Sequence, residues 1–233
     1  MLDHLEGRRG WTPMIERDDG LVDADLGMEF YFSAKWDATD REALKFVKGR
    51  TLDVGAGAGR VALHLQKRGQ DVVAIDISPG AIRVCKKRGV KRAHVMPFTA
   101  LDGRFGAFDS LAMWGNNFGL FGTARRARWM LRRLKRLTTP GARIVATTVD
   151  IYHRPVPPEH LAYHRFNRRR GRMAGEIRIR VLYKRFRTPW FDYMMVSPTE
   201  MQSIVDGTGW FLERVIARPD SPMYVAVIQK EGA

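Results

Sequence analysis

The chain has 233 residues, 45% of them hydrophobic, and its 40 Lys and Arg against 25 Asp and Glu give a formal charge of +15. This suits one domain with additions around a full core, and the positive excess raises the question of a polyanionic partner. The single cysteine, Cys85, excludes a disulfide within the chain, and without a run of about 18 apolar residues no membrane span is expected.

The opening residues, Met1 to Glu6, carry acids and no apolar core, so no signal peptide is predicted and a cytoplasmic setting is expected. Residues 1–47 form an N-terminal segment that contains the aromatic cluster Phe30-Tyr31-Phe32. Leu52 and Val54 then make a short apolar strand that enters Gly55-Ala56-Gly57-Ala58-Gly59-Arg60. Alternate glycines permit tight backbone angles and let a ligand lie against bare main chain. A helix follows through Val61, Leu63 and Leu65 and stops at Gly69; its free N–H groups favour an anionic group at the turn. Val72-Val73-Ala74-Ile75 predicts a second strand that ends at Asp76, 21 positions after Gly55. A carboxylate at that tip offers two acceptor oxygens to a ribose. Ser78-Pro79 predicts the cap and first residue of the next helix, and Gly89 its end.

Farther along, His94 to Thr99 covers a third strand and its exit. Phe108-Asp109-Ser110-Leu111-Ala112-Met113-Trp114 predicts a fourth strand, followed by the loop Gly115-Asn116-Asn117. Thr123 to Leu137 predicts an amphipathic helix, Pro140-Gly141 a turn, and Ile144 to Val149 a fifth strand. An insert of about 151–196 follows. In it, Ile177 to Lys184 alternates apolar and basic residues as a half-buried strand does. Arg187-Thr188-Pro189 predicts its turn, and Trp190 to Met195 its hairpin partner. A late helix opens at Pro198, and Trp210-Phe211-Leu212 with Met223 to Ile228 predicts a closing antiparallel pair.

The order strand, glycine turn, helix, strand, acid admits either a dinucleotide or S-adenosylmethionine (SAM). The G-x-G-x-x-G fingerprint fails, because Arg60 stands where its third glycine belongs. Asp53, two residues before the first glycine, completes apolar-D-x-G-x-G-x-G. On these residues the chain resembles the class I SAM-dependent methyltransferases, from roughly residue 48 to 233 apart from the insert. The resemblance implies a Rossmann-like, seven-stranded, mostly parallel sheet with helices on both faces, a closing antiparallel hairpin, and a hairpin insert after strand five. It also implies an N-terminal segment folded over the cofactor.

The cofactor site that this resemblance implies comprises Asp53, Gly55, Ala56, Gly57, Asp76, Ile77, Met96, Phe98, Trp114 and Asn116. The family's acid for the adenine amino group is missing after strand three, so adenine falls to backbone and to apolar contact from Ile77, Met96 or Phe98. Methyl transfer needs alignment more than a catalytic triad, and a general base is optional. Candidate bases are Asp150, His153 and Tyr31, and Asn117 is a further candidate of the catalytic site through a hydrogen bond to the cofactor's ammonium or the substrate. His160 and His164 lack a carboxylate or cysteine partner at a known spacing, so no metal is expected.

The expected reaction moves a methyl group from SAM to a small-molecule acceptor and leaves S-adenosylhomocysteine (SAH). Arginines of the insert would suit an anionic acceptor. The arginine-rich face of the helix from Thr123 to Leu137, with Trp129 in it, keeps a tRNA or rRNA methyltransferase as an alternative. A SAM-fold binding protein without activity is the other.

Overall fold

The computed structural model describes residues 1–8, 10–24, 27–153 and 155–232. Its N-terminal part contains α1 (Leu2–Leu5), β1 (Met14–Arg17), β2 (Val22–Ala24), α2 (Met28–Phe32) and α3 (Ala38–Ala43). The core then alternates strand and helix: β3 (Thr51–Val54), α4 (Arg60–Lys67), β4 (Val72–Asp76), α5 (Pro79–Lys87), β5 (Ala93–Val95), β6 (Phe108–Met113), α6 (Ala124–Leu134) and β7 (Thr138–Val149). The insert supplies α7 (Pro158–Arg169), β8 (Glu176–Tyr183), β9 (Phe186–Arg187) and β10 (Phe191–Met194). The chain closes with α8 (Pro198–Val205), β11 (Trp210–Ala217) and β12 (Met223–Lys230).

Seven strands form the main sheet in the order β11-β12-β7-β6-β3-β4-β5. The five strands from β5 to β7 run parallel, while β12 pairs antiparallel with β7 and with β11. This is the predicted Rossmann-like sheet with its closing pair. Strands buried on both faces read as continuous apolar runs, as Val72 to Ile75 of β4 does, and β3 and β6 are buried along nearly their whole length although each carries polar residues. The strand order reverses between β3 and β6. A crevice outside the carboxyl ends of the strands therefore opens beside the glycine turn.

Local chemistry sets the helix ends. The Ser78 hydroxyl accepts from the Ala81 N–H at 3.2 Å, and Pro79 begins α5 as predicted. Thr123 caps α6, whose Ala127, Met130, Leu131 and Leu134 face the core. That helix ends at Leu134, and a tight turn over Lys135–Leu137 completes the predicted span. The Pro140-Gly141 pair is no turn between elements. It lies inside β7, where the pairing to β6 shifts register between Phe108 and Ser110, so the extra residues are absorbed as an irregularity within the strand.

The insert departs from its predicted hairpin. The chain reverses at Lys184-Arg185, with Lys184 at φ 53°, and β9 pairs with Tyr183 and Leu182. Thr188 to Trp190 interrupt the returning strand, and β10 resumes the pairing with Phe191 opposite Ile179. Thr188 fills the interruption: its N–H donates to the Val181 carbonyl at 3.0 Å, and its hydroxyl accepts from the Val181 N–H at 2.9 Å. The other edge of β8 takes β1, giving an accessory sheet in the order β10-β8-β1-β2. The N-terminal segment and the insert thus share one sheet. Among the described residues no helix is long and apolar enough to cross a membrane.

Candidate active site

The glycine turn departs from the end of β3. Gly55, Gly57 and Gly59 lie at φ 70°, 56° and 79°, the left-handed region that disfavours any side chain. The Gly55 and Ala56 N–H groups donate to the Ile75 carbonyl at 2.9 and 3.0 Å, which ties the turn to β4. Asp53 is buried beneath it and accepts from the Ala62 N–H at 3.0 Å. Burial pushes the Asp53 carboxyl up to about 7, against the pull of that hydrogen bond. Its carboxylate joins β3 to the first turn of α4 and does not border the cavity described below.

Asp76 ends β4. One carboxylate oxygen accepts from the Gly57 N–H at 2.9 Å and the other from the Ser78 N–H at 2.8 Å. Burial raises its pKa, and the two N–H donors act in the opposite direction. Each oxygen keeps a further lone pair for a ligand. Ile77, just beyond, is 72% exposed, whereas Met96 and Phe98 are buried past the tip of β5.

Trp114 follows β6. Its indole N–H donates to Asp40 at 2.7 Å, and its ring meets Trp36 edge-on at 6.2 Å. Asn116 sits at φ 62°, unusual for a non-glycine residue and frequent at ligand clamps. Its N–H donates to the Thr147 hydroxyl at 2.7 Å, and its carbonyl accepts from Tyr193 at 2.7 Å. Its side-chain Oδ1 is buried with no partner among the described residues. Asn117 spends its side-chain NH2 on the Val54 and Gly55 carbonyls at 2.8 and 3.0 Å, bracing the glycine turn.

Arg60, the first residue of α4, reaches back over the N-terminal segment. It donates to the Ser33 carbonyl at 3.2 Å and the Lys35 carbonyl at 2.6 Å, and it stacks 3.7 Å from the Trp36 ring centroid. Its Nη1 is buried with no partner among the described residues. Sequence reasoning marked Arg60 only as the break in a dinucleotide fingerprint. Nothing local in the sequence says that its guanidinium would be enclosed by residues around 33–40.

Arg60 and Asn116 border one cavity of about 470 Å³. Gly55, Ala56 and Trp114 line its core side, and the accessory sheet lines the opposite side. Tyr31 and Asn117 also border it, whereas Asp150 and His153 are not among its lining residues. Asp150 instead accepts from the Tyr152 N–H at 2.9 Å. An orphaned buried donor on Arg60 and an orphaned buried acceptor on Asn116 match the carboxylate and ammonium of an amino-acid group.

His164 is buried, which pushes its pKa down to about 4, and the neighbouring positive charges act the same way. Among the described residues no cluster of His, Cys, Asp and Glu is arranged to hold a metal ion.

A Rossmann-like sheet with a closing antiparallel pair, a glycine turn and an acid at the second strand defines a class of nucleoside-cofactor enzymes. The family described as "Methyltransferase domain" matches residues 51–141. A SAM-dependent methyltransferase from Bacteroides fragilis, solved with SAH, is 26% identical with a TM-score of 0.82; the match covers 98% of this chain and 91% of that one. A demethylmenaquinone methyltransferase of Streptomyces griseus is 27% identical over 192 residues, 78% of this chain and 67% of the relative. The 1,6-didemethyltoxoflavin-N1-methyltransferase of Burkholderia thailandensis shares the fold alone, at 16% identity and a TM-score of 0.54 over 83% of this chain and 78% of that one. Residues 51–141 therefore match a methyltransferase domain, and the chain is similar in sequence and fold to SAM-dependent methyltransferases.

Proposed function

We propose that this methyltransferase acts on a small organic acceptor admitted between the main sheet and the accessory sheet. The observation that carries this reading is the cavity itself. It joins the glycine turn, the Asn116 loop and the apolar face of the accessory sheet in one space. In this reading Asp76 holds the ribose, and Ile77, Met96 and Phe98 flank the adenine. Arg60 and Asn116 hold the carboxylate and ammonium of the methionyl end. Bound SAM supplies a methyl group on a positively charged sulfur, and SAH is the product.

The residues of the chain supply alignment and exclusion of water. Arg60 and Asn116 fix one end of the cofactor and Asp76 the other, so the methyl carbon has one approach, from the accessory sheet. Asp53, Gly57 and Asn117 keep the turn in the shape that this requires. Tyr31 and Trp114 close the core side with aromatic surface.

A nucleic-acid substrate is less well supported. Arg128 and Arg133 of α6 spend their guanidinium groups on main-chain carbonyls of Ser203, Asp206, Thr99 and Leu101. Trp129, about half exposed, lies on the same helix and away from the cavity lining. The test uses methyl-labelled SAM with the purified enzyme, offered a bacterial small-molecule extract and total RNA separately. Label is expected in the extract. Label in the RNA alone would replace this reading with the nucleic-acid one.

A further inference from the structure

The accessory sheet turns one face to the cavity. Alternation along β8 places Ile177, Ile179 and Val181 on that face, while Arg178 and Arg180 point away. On β1 the same rule places Ile15 and Arg17 inward, with Arg17 opposite Ile179. Arg17 is therefore a cation on a largely apolar wall, which also carries Asp23 on its β2 edge. It is 7% exposed, so its position was not set by contact with bulk water.

Arg17 is held firmly. Asp19 accepts from its Nε and Nη2 at 2.8 and 2.7 Å, and the guanidinium lies 4.3 Å from the Tyr163 ring centroid. Its Nη1 is 2.9 Å from Nδ1 of His160, another cavity residue. A guanidinium only donates, so Nδ1 accepts and the ring hydrogen resides on Nε2. His160 then presents an N–H polarised by the adjacent cation. In this state the ring is a donor and has no lone pair at Nε2 with which to take a proton. Among the described residues Asp23 of β2 is the acidic one of the lining, and Asp19 is engaged by Arg17.

We propose that the acceptor is an apolar, ring-sized molecule with a deprotonated oxygen, a carboxylate or phenolate, which accepts from His160 Nε2–H. Arg17 is the positioning residue that fixes the tautomer. This rests on the methyltransferase reading above. The apolar wall selects the ring, and the polarised N–H selects an oxygen that carries negative charge. The acceptor arrives already deprotonated, because His160 is not a base here.

The test is calorimetry on the SAH-saturated protein with two probes of one shape, 2-naphthoate and 2-naphthylmethylammonium. The naphthoate is expected to bind at least about tenfold more tightly. Arg17→Met and His160→Phe should each erase that preference with SAH affinity unchanged, and His160→Gln, which keeps a donor, should retain part of it. Nitrogen-15 NMR of the His160 ring should show hydrogen on Nε2 in the wild type and a tautomer mixture in Arg17→Met. Equal binding of the two probes, no saturable naphthoate binding, or a preference that survives both variants would overturn the inference while leaving the methyltransferase reading intact. Failure of SAH itself to bind would remove the reading underneath it.

Discussion

Valine in place of Gly57 should raise the dissociation constant for SAM by more than about a hundredfold, roughly 2.7 kcal/mol or above. Gly57 sits at φ 56°, a conformation in which a β-branched side chain is strained. A Cβ there would stand 3.4 Å from Met1 and 3.4 Å from Tyr31, so the added branches also meet the N-terminal segment. Relief of that strain rotates the peptide and breaks the bond from the Gly57 N–H to Asp76. The main sheet should survive, because Gly57 lies past the end of β3 and forms no sheet pair. Calorimetry with SAH and the far-ultraviolet circular dichroism spectrum check the two halves. Native affinity in a folded variant would show that the turn does not approach the cofactor.

Alanine at Asp76 should weaken SAM binding at least tenfold, about 1.4 kcal/mol or more. The carboxylate serves twice: it offers acceptors at the tip of β4 and accepts the Gly57 and Ser78 N–H groups. Asparagine is not a mild substitute. Both carboxylate oxygens face backbone donors, so an amide must turn its NH2 toward one of them. Asp76→Asn should therefore also lose affinity, though less than alanine. Titration of SAH against the three proteins orders them. Equal affinity throughout would take Asp76 out of the ribose site.

The parts of this account legible in the sequence are those set by local geometry. Gly55, Gly57 and Gly59 announce the turn because left-handed backbone excludes other residues. The runs ending at Val54 and Asp76 read as strands because parallel strands are buried on both faces. The wheel of α6 shows its buried face directly. The accessory sheet was hidden for a physical reason. β1 and β2 have four and three residues, too few for periodicity to register, and β1 finds its partner far along the chain, with Glu16 paired to Arg180 across 164 positions. The turn of the insert misled because Pro189 marks where β9 and β10 are interrupted, while Lys184 takes the left-handed position at the true reversal.

Side-chain roles were less legible than positions. Asn116 and Asn117 are adjacent and chemically identical, yet one amide braces the glycine turn and the other leaves an acceptor beside the cavity. Arg17 and His160, 143 positions apart, acquire meaning only when β1 and α7 bring them within hydrogen-bond reach.

The most direct measurement is a crystal structure of the protein soaked with SAH. The ribose hydroxyls should meet Asp76, the amino-acid end should lie between Arg60 Nη1 and Asn116 Oδ1, and the sulfur should face Ile177 and the accessory sheet. A nucleoside bound anywhere else, or a sulfur turned away from that wall, would contradict the account.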